Sequence, residues 1–124
     1  MIKKFIHQFA SPKTYLFQVE RAYKFILYFS IIIYIFSLVW GLLFTQEDFV
    51  QGNSYRIIYL HVPASFLSQS LYISMAVASF VYLVWRVKLA AYLVISIAPI
   101  GALTTFIALT SGSIWGIPTW GTWW

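Results

Sequence analysis

Long uncharged stretches alternate with short charged ones along this chain. Residues 25–44 form a run of 20 residues with no formal charge. At about 1.5 Å of rise per residue a helix of that length covers roughly 30 Å, the thickness of the hydrocarbon layer. Residues 45–56 are polar, with Glu47, Asp48, Gln51, Gly52 and Asn53, and read as a loop. Residues 57–85 again lack charge over 29 positions, more than one straight span needs. Pro63 is expected to mark the embedded start of that second span, because proline suits a first helical turn. The stretch 55–61 is then expected at the interface. Arg86-Val87-Lys88 is a tight basic turn, and residues 89–110 form a third apolar run, with Pro99 and Gly101 as the expected kink. Residues 111–124 are expected to leave the bilayer as a Trp-rich tail.

The predicted fold is therefore all-α and integral to a membrane, with three transmembrane helices at about 25–44, 63–85 and 89–110. An outer loop (45–62) joins the first two. Small residues at helical spacing, Ser70, Ser74 and Ala78 on the second span and Ala98 and Ala102 on the third, predict an antiparallel hairpin.

Composition agrees. Only 9% of residues are charged and 61% are apolar, far from the quarter charged of a soluble domain. The first apolar run is too long for a cleavable signal and no small-residue cleavage site follows it, so it reads as a retained span. Lys3, Lys4, Lys13, Arg21 and Lys24 crowd the basic lead-in, residues 1–24. Beside a span, such a cluster reads as a topology signal and a contact with anionic lipid rather than with nucleic acid. The positive-inside rule then places the N-terminus and the 86–88 turn in the cytoplasm, and the 45–62 loop and the C-terminal tail on the outer face.

Candidate chemistry is sparse. The absence of cysteine removes disulfides, thiolate metal sites and a cysteine nucleophile. No phosphate-binding glycine loop is present, and the three carboxylates lie outside the spans. His7 and His61 fall on opposite membrane faces and cannot share a metal. His61, at the outer end of the second span, is either an interfacial histidine bonded to a carbonyl or headgroup, or a ligand. Four of the six tryptophans lie in the last ten residues: Trp115, Trp120, Trp123 and Trp124, interleaved with Gly116 and Gly121. One or two such rings would read as an interfacial belt. Four with glycines between them suit a flat surface for a large planar ligand, and neutral imidazole is a common axial ligand to haem iron. Arg56 is the one outer cation. It suits a haem propionate, and equally a lipid phosphate or a salt bridge to Glu47 or Asp48.

The segment Gln51-Gly52-Asn53-Ser54-Tyr55-Arg56-Ile57-Ile58-Tyr59-Leu60-His61-Val62-Pro63-Ala64 closely resembles the first outer loop of the haem exporter protein C family. The segment Ala98-Pro99-Ile100-Gly101-Ala102 and the tail from Gly112 to Trp124 resemble that family's third span and the front of its tryptophan-rich motif. The resemblance implies a six-helix bundle of which these spans are half, in the bacterial inner membrane. It implies b-type haem, bound non-covalently on the periplasmic face between the tryptophan motif and two axial histidines. His61 matches the first histidine, and Trp115, Gly116, Trp120, Gly121, Trp123 and Trp124 match the motif. The rest of the motif, the second histidine and three further spans would lie beyond Trp124, so the chain is expected to be an N-terminal fragment. The partners implied are an ATP-binding cassette ATPase subunit, a second membrane subunit, a small membrane adaptor and a haem chaperone that serves cytochrome c maturation.

The function expected is thus that of a non-enzymatic, haem-binding membrane subunit. A structural membrane fragment without ligand is the alternative. A transporter subunit moving haem across the bilayer ranks lower, because the spans hold few polar groups. Single cysteines placed at positions 61 and 120 are expected to react with an impermeant thiol reagent from the same side of the membrane. Labelling from opposite sides would exclude a shared planar ligand.

Overall fold

The computed structural model describes residues 22–124 together with Leu16, Val19 and Glu20. Most of the basic lead-in, with His7, lies outside the described residues. Those described are overwhelmingly helical, and three helices are long and apolar enough to cross a membrane.

Helix α1 spans Tyr23–Val39 and continues as a single π-type turn, Trp40–Phe44. Its sequence offers no proline and no charge after Lys24, so the backbone satisfies itself within the helix, as lipid demands. Phe36, Trp40 and Phe44 stack at i, i+4 spacing, with ring centroids 5.9 and 5.5 Å apart. None of the residues from Tyr23 to Val39 is buried. The helix meets the rest of the molecule at Gly41, where a β-carbon would stand 2.5 Å from the Tyr59 ring. A glycine here lets the end of α1 seat on the start of α2.

The connection at 45–52 is a compact turn. The Asp48 carboxylate accepts the amides of Val50 and Gln51 at 2.9 and 2.8 Å, and Asp48 and Gly52 pair in both directions. Gly52 has φ +56°, a conformation side chains disfavour. A 3-10 turn, Asn53–Ile57, leads directly into α2, Ile58–Trp85.

The second helix therefore begins before Pro63, and residues 58–62 of the expected outer loop are helical. Pro63 sits inside α2 without breaking it, since a membrane helix gives up one amide bond near its end and keeps its packing. Helix α2 stops at Arg86, whose φ of +55° forms a left-handed cap with its amide on the Tyr82 carbonyl at 2.9 Å. Val87, extended, starts α3, Lys88–Trp120.

The third helix also continues past 110, where the third span is expected to end. It takes in ten residues of the supposed tail. Hydroxyls near the change from apolar run to Trp-rich segment turn back onto the helix: Thr110 Oγ1 donates to the Phe106 carbonyl at 2.8 Å and Ser111 Oγ to that of Ile107 at 2.6 Å. Termination waits for Gly121, at φ +76°, whose amide bonds the Ile117 carbonyl at 3.0 Å.

Helices α2 and α3 pack against each other along their length. The buried residues of this hairpin are all small: Ser68 and Ala78 on α2, and Ala90, Gly101, Thr104, Ser111 and Gly116 on α3. With the half-buried Val94, Ile97, Ala108 and Trp115, the α3 stripe steps by alternating fours and threes, the spacing of left-handed helix packing. The expected stripe of Ser70, Ser74 and Ala102 faces outward instead. Ser70 and Ser74 bond carbonyls of their own helix, Phe66 and Ser70, at 2.7 and 2.8 Å. Four-residue spacing alone favoured that stripe. The alternating pattern keeps Ser68 and Ala78 on the seam.

In the middle of the seam Ser68 Oγ and Thr105 Oγ1 lie 2.6 Å apart, and Thr105 Oγ1 also donates to the Gly101 carbonyl at 2.8 Å. The Ser68 hydroxyl is therefore the donor between helices. Ser68→Ala is expected to destabilise the hairpin by about 0.6 kcal/mol, and by no more than roughly 2 kcal/mol. A double-mutant cycle with Thr105→Ala, read by steric-trap unfolding in bicelles, measures this, and zero coupling energy would discount the bond.

Candidate functional site

Both helices of the hairpin exceed the bilayer. At about 1.5 Å per residue, α3 is roughly 50 Å long against a hydrocarbon thickness of about 30 Å. The turn carries Arg86 and Lys88, so it sits at one membrane surface. Counted from there, about 20 residues cross the hydrocarbon. His61 on α2 and the stretch from Gly112 on α3 lie beyond that count, at the opposite interface.

The helical register brings these elements together. His61 occupies the α2 seam and faces Ala108, Ser111 and Gly112 of α3. Its Nδ1 is 3.0 Å from the Ala108 carbonyl oxygen and 3.2 Å from Ser111 Oγ, and its Nε2 is 3.4 Å from Ser65 Oγ. A β-carbon on Gly112 would stand 2.8 Å from Cε1 of the imidazole, so the glycine is the space the ring occupies. Trp115, one turn further, meets the imidazole edge to face with centroids 5.7 Å apart. Trp120 continues the aromatic row, 6.1 Å from Trp115.

Of the expected site residues, His61, Trp115 and Trp120 thus form one contiguous group. Trp123 and Trp124 pair with each other at 5.4 Å, nearly perpendicular, and are exposed. Gly116 is buried for a local reason: a β-carbon there would stand 2.7 Å from the Thr122 carbonyl oxygen. Together with the left-handed Gly121 it lets residues 121–124 fold back along α3.

Arg56, in the 3-10 turn, donates from Nη2 to the Thr45 carbonyl at 2.8 Å. It does not engage Glu47, which accepts from Asn53 Nδ2 at 2.6 Å, or Asp48, which caps its own turn. The Arg56 Nε is buried with no hydrogen-bond partner among the described residues. With one bond among its five N–H groups, the guanidinium retains donors for an oxygen ligand.

Sequence reasoning missed Gly112, Ser111, Ala108, Ser65 and Gln51. Gly112, Ser111 and Ala108 touch His61 only because α2 and α3 run antiparallel in this register, which no local pattern states, whereas Ser65 is its neighbour one turn along α2. Gln51 accepts the indole N–H of Trp115 at 2.9 Å and so ties the 45–52 turn to α3.

A shallow groove of about 320 Å³ opens beside His61 between the helices, lined by Ser65, Gln69, Thr105 and Leu109 among others. A larger one of about 970 Å³ lies at the turn end of the hairpin, walled mainly by aliphatic groups such as Ile73, Val77, Val81 and Leu93. It contains no histidine, carboxylate or cation and suits lipid chains better than chemistry.

The tie between loop and helix is testable. Trp115→Phe keeps an aromatic ring and removes the bond to Gln51. Amides 48–52 are then expected to exchange hydrogen faster than in the parent, and unchanged exchange would show that the bond does not hold the loop.

Comparison with known proteins places the chain. A family profile described as Heme exporter protein C matches residues 5–124. Heme exporter protein C of Escherichia coli K12 is 49% identical over 122 residues, covering 98% of this chain and 49% of that protein. The Haemophilus influenzae protein of the same name is 43% identical over 121 residues, with the same two shares, 98% and 49%. That of Paracoccus denitrificans is 47% identical over 88 residues, 71% of this chain and 36% of the relative. The chain spans about half the length of the first two relatives. With its sequence matched almost end to end and its three membrane-length helices, this chain belongs to the haem exporter protein C family.

Proposed function

We propose that this chain supplies half of a haem-handling site on the outer face of the bacterial inner membrane. It acts there without catalysing a reaction and hands haem to a chaperone during c-type cytochrome maturation. The observation that carries the reading is the seating of His61 against Gly112 and Trp115 at the end of the hairpin away from the basic turn. Family membership supports it. So does the positive-inside rule, which turns that end outward.

The residues present fit a porphyrin. Haem iron, when bound, supplies an open coordination position that an imidazole nitrogen fills. His61 provides the imidazole, and its ring is already held by α3. Trp115 and Trp120 offer apolar faces and edges to a flat macrocycle, and their width suits it better than a lipid chain. The exposed Trp123 and Trp124 extend that surface. Arg56 has an unpartnered buried N–H next to the site's loop, and a propionate carboxylate is the charge it would hold. Gly112 excludes any side chain that would displace the ring.

A second histidine from outside these residues would complete the set of groups that hold the haem. The ATP-binding cassette ATPase subunit, second membrane subunit, small membrane adaptor and haem chaperone are proposed as partners on the same footing. The haem is proposed to be b-type and non-covalent, since no cysteine is present to bond its vinyl groups.

The test is direct. The protein is purified in detergent with haem added, and its Soret absorbance is recorded. Loss of most of the Soret band in His61→Ala, with Trp115→Ala weakening it and Lys24→Ala leaving it unchanged, is the expected result. A His61→Ala protein that holds as much haem as the parent would end the ligand role. A parent with no Soret band at any haem loading would favour the ligand-free membrane piece.

A further inference from the structure

Neutral imidazole carries one hydrogen, and only the other ring nitrogen has a lone pair for a metal. The surroundings of His61 decide between the two. Nδ1 lies 3.0 Å from the Ala108 carbonyl oxygen. A carbonyl only accepts, so Nδ1 holds the hydrogen. Ser111 Oγ, 3.2 Å from the same nitrogen, has given its own hydrogen to the Ile107 carbonyl at 2.6 Å. It too can only receive from the ring. Nδ1–H is thus shared between two acceptors on α3.

At Nε2 the situation is reversed. Its neighbour, Ser65 Oγ, lies one turn deeper on α2 at a long 3.4 Å and donates into the lone pair. Among the described residues no carbonyl contact holds this nitrogen, and His61 lines the groove together with Ser65, Gln69 and Leu109. Gly112 completes the arrangement, since a β-carbon there would stand 2.8 Å from Cε1, between the two nitrogens.

We infer that the Ala108 carbonyl, Ser111 and Gly112 form a clamp that fixes His61 as the Nδ1–H tautomer, making Nε2 the iron-ligating atom and Ser111 a positioning residue. The inference rests on the haem reading above and names the atom and the groups that aim it. The bonds at Nδ1–H also strengthen the donor at Nε2, because electron density moves toward the free nitrogen as the hydrogen is drawn away. Ser111 therefore acts on haem without touching it.

The first test needs no haem. In protein labelled with ¹⁵N-histidine and embedded in lipid nanodiscs, the His61 signals are assigned by their loss in His61→Ala. A pyrrole-type Nδ1 and a pyridine-type Nε2 are expected, and the opposite tautomer overturns the clamp. The second test uses the haem-loaded protein. Ser111→Ala is expected to lower haem affinity by up to about tenfold and to raise the reduction potential, because a weaker donor stabilises ferric iron less. Ser111→Thr, which keeps the hydroxyl, is expected to restore the parental potential. An identical potential in parent and Ser111→Ala overturns the positioning role. Undiminished haem binding by His61→Ala overturns the haem reading itself and Nε2 as ligand with it. The Nε2–H tautomer combined with normal haem loss in His61→Ala overturns the clamp alone.

Discussion

In lipid, two helices gain little from burying leucine against leucine, because the solvent is as apolar as the side chain. What draws α2 to α3 is the close approach of backbones across small residues and the hydrogen bond between Ser68 and Thr105. That approach fixes the register, and the register fixes everything at the far end. With Ser68 opposite Thr105, two turns further along α2 must place His61 opposite Ala108, Ser111 and Gly112. A slip of one residue would drive the imidazole into a side chain or leave Nδ1 without an acceptor. The seam and the site are one construction.

Helix α1 illustrates the converse. Its surface is made of Phe, Ile, Leu and Tyr with no line of small residues, and it buries none of them from Tyr23 to Val39. It touches the hairpin where glycine permits, at Gly41 under Tyr59. Bulky apolar groups suit lipid or another helix equally, so the surface of α1 specifies no single partner. The turn at 45–52 is defined by different means, its Asp48 cap, the left-handed Gly52 and the bond from Trp115 to Gln51. Through that last bond the tryptophan serves two roles, facing His61 and holding the loop that precedes Arg56.

Polar groups at this end are distributed with economy. The hydroxyls of Thr110, Ser111 and Thr119 spend their hydrogens on carbonyls one turn back, which keeps α3 helical where its composition turns polar. At Ser111 this leaves oxygen lone pairs, not a hydrogen, facing the seam. A histidine entering such an environment finds acceptors and presents its hydrogen to them. Arg56 is the exception among the described residues, with one N–H buried and unpaired. An unmet donor of this kind is costly unless something outside the described chain meets it.

The linear pattern determined a good deal. Three uncharged runs of membrane length, a basic turn at 86–88 and a loop rich in Asp, Gly and Asn specify three helices and their connections, because lipid leaves a backbone no choice but to bond itself. The residue types at His61 and in the tryptophan cluster also marked out side chains that the structure brings together. The helix ends did not emerge, since Pro63 is tolerated inside a packed membrane helix and α3 runs on into the Trp-rich segment. The packing stripe was misjudged, because four-residue spacing of small residues looks alike on either side of a helix. The contacts of His61 with Ser111 and Gly112, 50 and 51 positions away, belong to tertiary structure alone. They exist only once two helices are laid antiparallel in a single register, and that register is chosen by the fit of small side chains across the whole seam.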